Sequence, residues 1–210
     1  MRPVVLITGT EKGLGRALAD ALNNDYRLIL CDKDHKYSVV SQSKIIKPCD
    51  VSKISDVKEV VKLGLKKFGR IDVLINNAGL MLFDTFENIK ETDIDAMYNV
   101  NIKGTLLFSQ AVLPIMRKQR SGYIINISST RGITGAPTKG AYSMTKFGVR
   151  ALSETIFAEN KKYGIKATTI CPGKLGKNLV TYEDVVKTVK YLLSLGKQAH
   201  IRELIIGGQL

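Results

Sequence analysis

Metal ligands are scarce in this chain. Its three cysteines, Cys31, Cys49 and Cys171, lie at or near predicted strand ends without metal-like spacing, and its two histidines, His35 and His200, are far apart. No metal site is expected, and buried, unreactive thiols are the expected role of the cysteines. Long apolar runs are missing as well: nothing approaches the length of a bilayer span. Met1-Arg-Pro-Val leads straight into a strand with no signal peptide, so a soluble, cytoplasmic protein is expected. Internal repeats, low-complexity tracts and linkers are absent, and 210 residues fit one domain, 1–210. Acidic residues are few, 19 against 32 Lys and Arg, which leaves a formal charge of +13. The excess is mostly lysine, scattered along helices and not interleaved with aromatics, and no nucleic-acid motif accompanies it. A solvated lysine-rich surface is expected, with neither nucleic acid nor membrane as partner. A secondary reading is attraction for anionic substrates, such as acyl groups on a carrier, through Arg131, Lys174 and Lys177.

What the chain does have is a regular alternation of short apolar strands with helical patterns. Strands are predicted at 3–8, 26–31, a stretch closing at Cys49-Asp50-Val51, 71–75, 123–127, 166–171 and 203–206. Helices are predicted from Arg16 to Leu22, from Ile54 to Phe68, from Thr92 through Arg117, from Ala141 to Tyr163 and from Tyr182 to Leu195. Such alternation implies an α/β fold, a doubly wound parallel sheet of Rossmann type with its ligand at the carboxyl ends of the strands.

The first strand runs into Gly9-Thr-Glu-Lys-Gly13-Leu-Gly15 and then a helix. Gly9 permits a tight turn, Gly13 lets backbone approach a pyrophosphate, and Gly15 lets helix and strand pack closely. Free N–H groups in the first helical turn then face the phosphates. Asp32 ends the second strand, placed to accept hydrogen bonds from the adenosine ribose and to repel a 2′-phosphate. Lys12 and Lys33 pull the other way, and the balance tips slightly to NAD over NADP. Asp50 is placed to reach the adenine amino group, or simply to start the following helix. Asn76-Asn-Ala-Gly79 closes the fourth strand with residues suited to close backbone approach.

Tyr142-Ser-Met-Thr-Lys146, with Ser129 upstream, offers a phenol, an ammonium and a hydroxyl. A free tyrosine titrates near pH ~10, so roughly one phenol in a thousand is ionised at neutrality. A lysine four residues on shares its helical face, and lowering the phenol pKa by ~3 takes about 4 kcal/mol of differential stabilisation. The pair then serves as general acid or base near physiological pH.

These pieces, in this order, resemble the short-chain dehydrogenase/reductase family over essentially the whole chain. The resemblance is carried by Thr8–Gly15, Asn76–Gly79, Asn101 in Asn99-Val-Asn-Ile-Lys-Gly104, Ser129, Tyr142, Lys146 and Pro172-Gly173. Ser129 is selected over Ser128 because the family's serine precedes the tyrosine by 13 positions. The resemblance implies hydride transfer between a nicotinamide cofactor, NAD or NADP, and a carbonyl or alcohol substrate such as a ketone, an aldehyde or a 3-oxoacyl group. Tyr142 would donate the proton, Ser129 would bond the carbonyl oxygen, and Lys146 would lower the Tyr142 pKa and bind the nicotinamide ribose. Asn101 would hold a water of the proton relay. Thr8, Gly9, Lys12, Gly13, Leu14, Gly15, Asp32, Asp50, Val51, Asn77, Ala78, Gly79, Tyr142, Lys146, Pro172 and Gly173 would contact the cofactor. A homodimer or homotetramer is implied, with Leu106, Phe108, Phe147 and Leu152 available to its interface.

Two segments depart from the family. Lys33–Pro48 leaves little room for a helix between the second and third strands, and only Lys174–Thr181 stands where relatives carry a helical lid over the substrate. The nicotinamide-binding Thr of the family is replaced by Lys177. These departures motivate two rival readings: a cofactor-binding regulatory or scaffold protein with little turnover, and a basic interaction module.

Overall fold

A computed structural model describes residues 2–176 and 179–207; Lys177 lies outside the described residues. In chain order the elements are β1 (Val4–Thr8), α1 (Gly13–Leu22), β2 (Arg27–Asp32), β3 (Val39–Val40), β4 (Lys44–Pro48), α2 (Ile54–Phe68), β5 (Val73–Asn76) and α3 (Glu91–Met97). There follow α4 (Gly104–Gln119), β6 (Gly122–Ile127), α5 (Gly140–Asn160), β7 (Ile165–Pro172), α6 (Tyr182–Ser194) and β8 (Glu203–Ile206). A π-helical turn, Tyr98–Lys103, joins α3 to α4.

The strands form one eight-stranded sheet in the order β3-β4-β2-β1-β5-β6-β7-β8. Every pairing is parallel except β3 with β4. The central strands are wholly buried because helices cover both faces, which explains why β1 reads as an unbroken apolar run rather than an alternation. Val4 and Leu6 face a core built with Val57, Val60 and Val61 of α2 and Phe108, Val112 and Met116 of α4. Val5 and Ile7 face the opposite core, closed by Leu14 and Leu18 of α1 and Val185, Val189 and Leu192 of α6. The chain leaves β1 for β2 on one side and returns to β5 on the other, so a crevice opens at the carboxyl ends of β1 and β5.

Three expectations need correction. The third strand ends at Pro48, short of Cys49–Val51, because Asp50 turns the chain: its Oδ1 accepts from Ser52 N (3.0 Å) and Ser52 Oγ (2.7 Å). The long helix expected from Thr92 through Arg117 is divided by the π turn. Phe108 is fully buried in the core and therefore cannot serve an interface, whereas Leu106 and Phe147 are exposed. The tight segment after β2 forms the small hairpin β3–β4, with Val39 opposite Ile46 and Val40 opposite Ile45. No helix among the described residues is long and apolar enough to cross a membrane.

Candidate active site

Two loops are stapled together where β1 and β5 end. Thr8 Oγ1 accepts hydrogen bonds from the backbone N–H groups of Asn77 and Ala78, both at 3.0 Å. Asn77 Nδ2 donates in return to Thr8 O (2.9 Å) and Gly9 O (3.0 Å). Gly9 sits at φ 72°, and a Cβ there would lie 2.8 Å from Ala78 Cα. A Cβ on Gly15 would lie 1.8 Å from Gly9 O, so helix and loop touch backbone to backbone. The first turn of α1 carries no acidic residue, and its N-cap Lys12 makes no side-chain capping bond. Its N–H groups are thus left to an anion.

Above these loops lies a cleft of about 420 Å³. Gly9, Lys12, Leu14, Gly15, Asp32, Lys33, Asp50, Val51, Asn77, Ala78 and Gly79 line it. Leu80, which follows the Asn76–Gly79 motif, also lines it, as do Cys49, Val100 and Asp34; these three escaped the sequence reading because each neighbours a singled-out residue but belongs to no spacing pattern of its own. Gly13, expected to meet the cofactor, does not line the cleft; an added Cβ there would be 3.4 Å from the Tyr182 hydroxyl. Pro172 and Gly173 close β7, with Gly173 N donating to Ile206 O at 2.8 Å. A second depression of about 430 Å³, between α6 and β8, contains none of the motif residues. Asp32 is held by two backbone donors, Glu11 N to Oδ2 and Asp34 N to Oδ1, both at 3.0 Å. The acids Asp32, Asp34 and Asp50 outnumber Lys12 and Lys33 along the cleft wall.

Tyr142 occupies the first turn of α5 and Lys146 the second; neither lines this cleft. The Lys146 side chain is buried, with Nζ 2.9 Å from Ile127 O and 5.7 Å from the Tyr142 ring centroid. A Cβ placed on Gly79 would be 3.5 Å from both Lys146 Nζ and Asn101 Oδ1, so β5, the π turn and α5 converge at one point. Asn101 is spent on the neighbouring loop. Its Oδ1 accepts from Leu80 N (2.8 Å), and its Nδ2 donates to Leu80 O and Thr145 Oγ1, both 2.9 Å. One lone pair of Oδ1 is all it retains for a water.

The two adjacent serines divide their duties. Ser128 Oγ donates to Lys146 O at 2.9 Å and so anchors α5, while Ser129 turns toward the Tyr142 phenol and accepts only from Arg131 N (3.1 Å). Arg150, which reads as a surface residue in sequence, braces this loop: its Nη1 donates to Gly132 O (2.8 Å) and its guanidinium forks onto Glu203.

The electrostatics depart from expectation. Burial raises the Tyr142 pKa above its ordinary value, opposed by the Ser129 hydroxyl. Burial also lowers Lys146 to about 8. The expected acidification of the phenol by Lys146 is thus not met, because burial of the phenol itself is the largest influence on it and only the Ser129 hydroxyl opposes that. The phenol is kept protonated, the form that donates. No cluster of three or more His, Cys, Asp or Glu suited to a metal occurs among the described residues.

Comparison with known proteins agrees with this architecture. The family model for short chain dehydrogenases matches residues 3–184. An uncharacterised oxidoreductase of Staphylococcus aureus (strain MRSA252) is 32% identical, over 97% of this chain and 96% of its own. The solved structure of ElxO with NADP bound superposes with a TM-score of 0.89 at 30% identity, covering 98% of each chain. Serine dehydrogenase from Escherichia coli gives a TM-score of 0.90 at 27% identity, over 97% of this chain and 96% of that one. The chain belongs to the short-chain dehydrogenase family. It is an NAD(P)-dependent oxidoreductase.

Proposed function

We propose that the protein interconverts a carbonyl compound and its alcohol, with Tyr142 as the proton donor in reduction. The observation that carries this reading is the meeting of Tyr142, Ser129 and Lys146 beside a cleft whose glycines admit only backbone. The residues fit a dinucleotide: the Gly9–Gly15 contact leaves a cradle that any Cβ would fill, and the first turn of α1 offers free N–H groups. A nicotinamide bound there supplies or removes the hydride.

This chain's own residues handle the proton and the geometry. Ser129 Oγ orients the carbonyl oxygen toward Tyr142, and the Tyr142 phenol delivers its proton to that oxygen as the carbon is reduced. Lys146, with one hydrogen bond to Ile127 O, has two further donors for ribose hydroxyls and for reprotonating Tyr142. Asn101 fixes Leu80 and Thr145, which sets the floor on which Lys146 rests. The substrate is assigned to small ketones, aldehydes or 3-oxoacyl groups, with the exposed Met81 and Phe83 as an apolar flank. NAD is preferred over NADP, because a 2′-phosphate would meet the acidic majority of the cleft wall around Asp32. A homodimer through the exposed Leu106 and Phe147 completes the reading.

The test is Tyr142→Phe. The variant is expected to bind NADH as the parent does and to lose about 10²–10⁴ in turnover on any ketone the parent reduces. Undiminished turnover would remove Tyr142 from the chemistry. Titration with NADH and NADPH, followed through nucleotide fluorescence, settles the cofactor preference.

A further inference from the structure

We propose that His35 is a positioning residue for the adenosine half of the dinucleotide, acting by clasping the glycine loop to the segment that follows β2. The inference rests on the reading of the cleft as a dinucleotide site. His35 lies three residues beyond Asp32, its side chain only 9% exposed. Its Nδ1 is 2.5 Å from Glu11 Oε2, and its Nε2 is 2.9 Å from Thr10 Oγ1. Both ring nitrogens are therefore engaged by two consecutive residues of the glycine loop.

The clasp matters because of what it holds. Asp32 takes one backbone donor from each of the joined segments, Glu11 N on the glycine loop and Asp34 N beyond β2. A carboxylate fixed from both sides points where it is placed, and it loses that direction if the two segments drift apart. His35 itself does not line the cleft. Its effect on a bound nucleotide runs through Glu11 and Asp32, and it is confined to the adenosine end.

The link survives a change in protonation. A neutral imidazole donates Nδ1–H to Glu11 and accepts the Thr10 hydroxyl at Nε2. An imidazolium donates from both nitrogens and frees the Thr10 hydroxyl to donate to Cys31 O, 3.4 Å away. Either way every polar atom of the set keeps a partner. Glu11, Asp32 and Asp34 surround this cluster, with Lys12 Nζ 3.9 Å from Asp34, so the surroundings are mixed in sign. His35 is a clasp rather than a pH switch.

The experiment compares NADH with reduced nicotinamide mononucleotide, which lacks the adenosine half, in the parent, His35→Ala, Glu11→Ala and the double variant. Nucleotide fluorescence serves as the probe, since the chain contains no tryptophan. His35→Ala is expected to raise the Kd for NADH about tenfold, the effect of losing one charge-assisted hydrogen bond. The Kd for the mononucleotide and kcat at saturating NADH should stay within about twofold, as should be true of Glu11→Ala, which breaks the same link without touching the histidine. The double variant is expected to lose no more than either single one. Equal losses for the two nucleotides, no loss for either, or additive losses in the double variant would overturn the clasp. Failure of the parent to bind NADH or NADPH would instead overturn the dinucleotide reading, and the clasp with it.

Discussion

Replacing Lys146 by methionine should make the protein more stable in acid and inactive at every pH. The side chain is 4% exposed, and burial lowers its pKa from 10.5 to about 8. That difference corresponds to a charge penalty of about 3 kcal/mol in the folded state. The sign follows from proton counting: between pH ~8 and ~10.5 the unfolded chain holds a proton at this lysine that the folded chain has released, so parental stability rises with pH across that window. Below it both states are protonated and the penalty stands in full. Methionine has a similar shape and no charge, but it leaves Ile127 O without the 2.9 Å donor it now has, at a cost of about 1–2 kcal/mol. The net expectation is a gain of about 1–2 kcal/mol near pH 6.5. Above pH ~10.5, where only the lost hydrogen bond counts, a loss of about 1–2 kcal/mol is expected. Urea denaturation followed by circular dichroism at the two pH values, with NADH turnover measured in parallel, provides the check. A variant less stable by the same amount at both would refute the claim that this lysine is held at the expense of folding.

Two further substitutions, each with a comparison variant, probe the stapled loops. Gly15→Ala puts a methyl 1.8 Å from Gly9 O and 2.6 Å from Asn77 Nδ2, so it should destabilise by about 3 kcal/mol or more and abolish NADH binding. Gly135→Ala, with nothing within 4 Å, should change neither, and equal behaviour of the two would dismiss the close-contact argument. Thr8→Val keeps shape but strands the N–H groups of Asn77 and Ala78, at about 2–4 kcal/mol in chemical denaturation. Thr8→Ser should recover most of it, and no recovery would mean that the methyl rather than the hydroxyl is what the site needs.

The sheet was legible because its strands are buried on both faces, so Val4–Ile7 and Tyr123–Ile125 stand out as apolar runs between helical patterns. The motif residues were legible through spacing, which is a local property. What escaped depends on contacts between distant segments. Arg150 has the look of a helix-surface charge until β8 brings Glu203 alongside. His35 invites only the question of metal binding, since Thr10 and Glu11 reach it solely through the pairing of β1 with β2. The π turn has no signature in Tyr98–Lys103; it is pinned where Asn101 meets both backbone groups of Leu80. The direction of the Tyr142 pKa escaped for a related reason: sequence shows that a lysine is one turn away, but not how deeply the phenol itself is buried.

The hairpin after β2 also bears on how the molecule avoids sticking to others of its kind. A parallel sheet stripped of a covering helix at one side would offer a row of open backbone groups, ready to template another chain. Here that side ends in β3, two residues long and running against its neighbour. Such a stub leaves almost nothing to extend, and Lys44 on the adjoining β4 adds a positive charge beside it. The edge that a helix would have covered by bulk is blunted instead by brevity and charge.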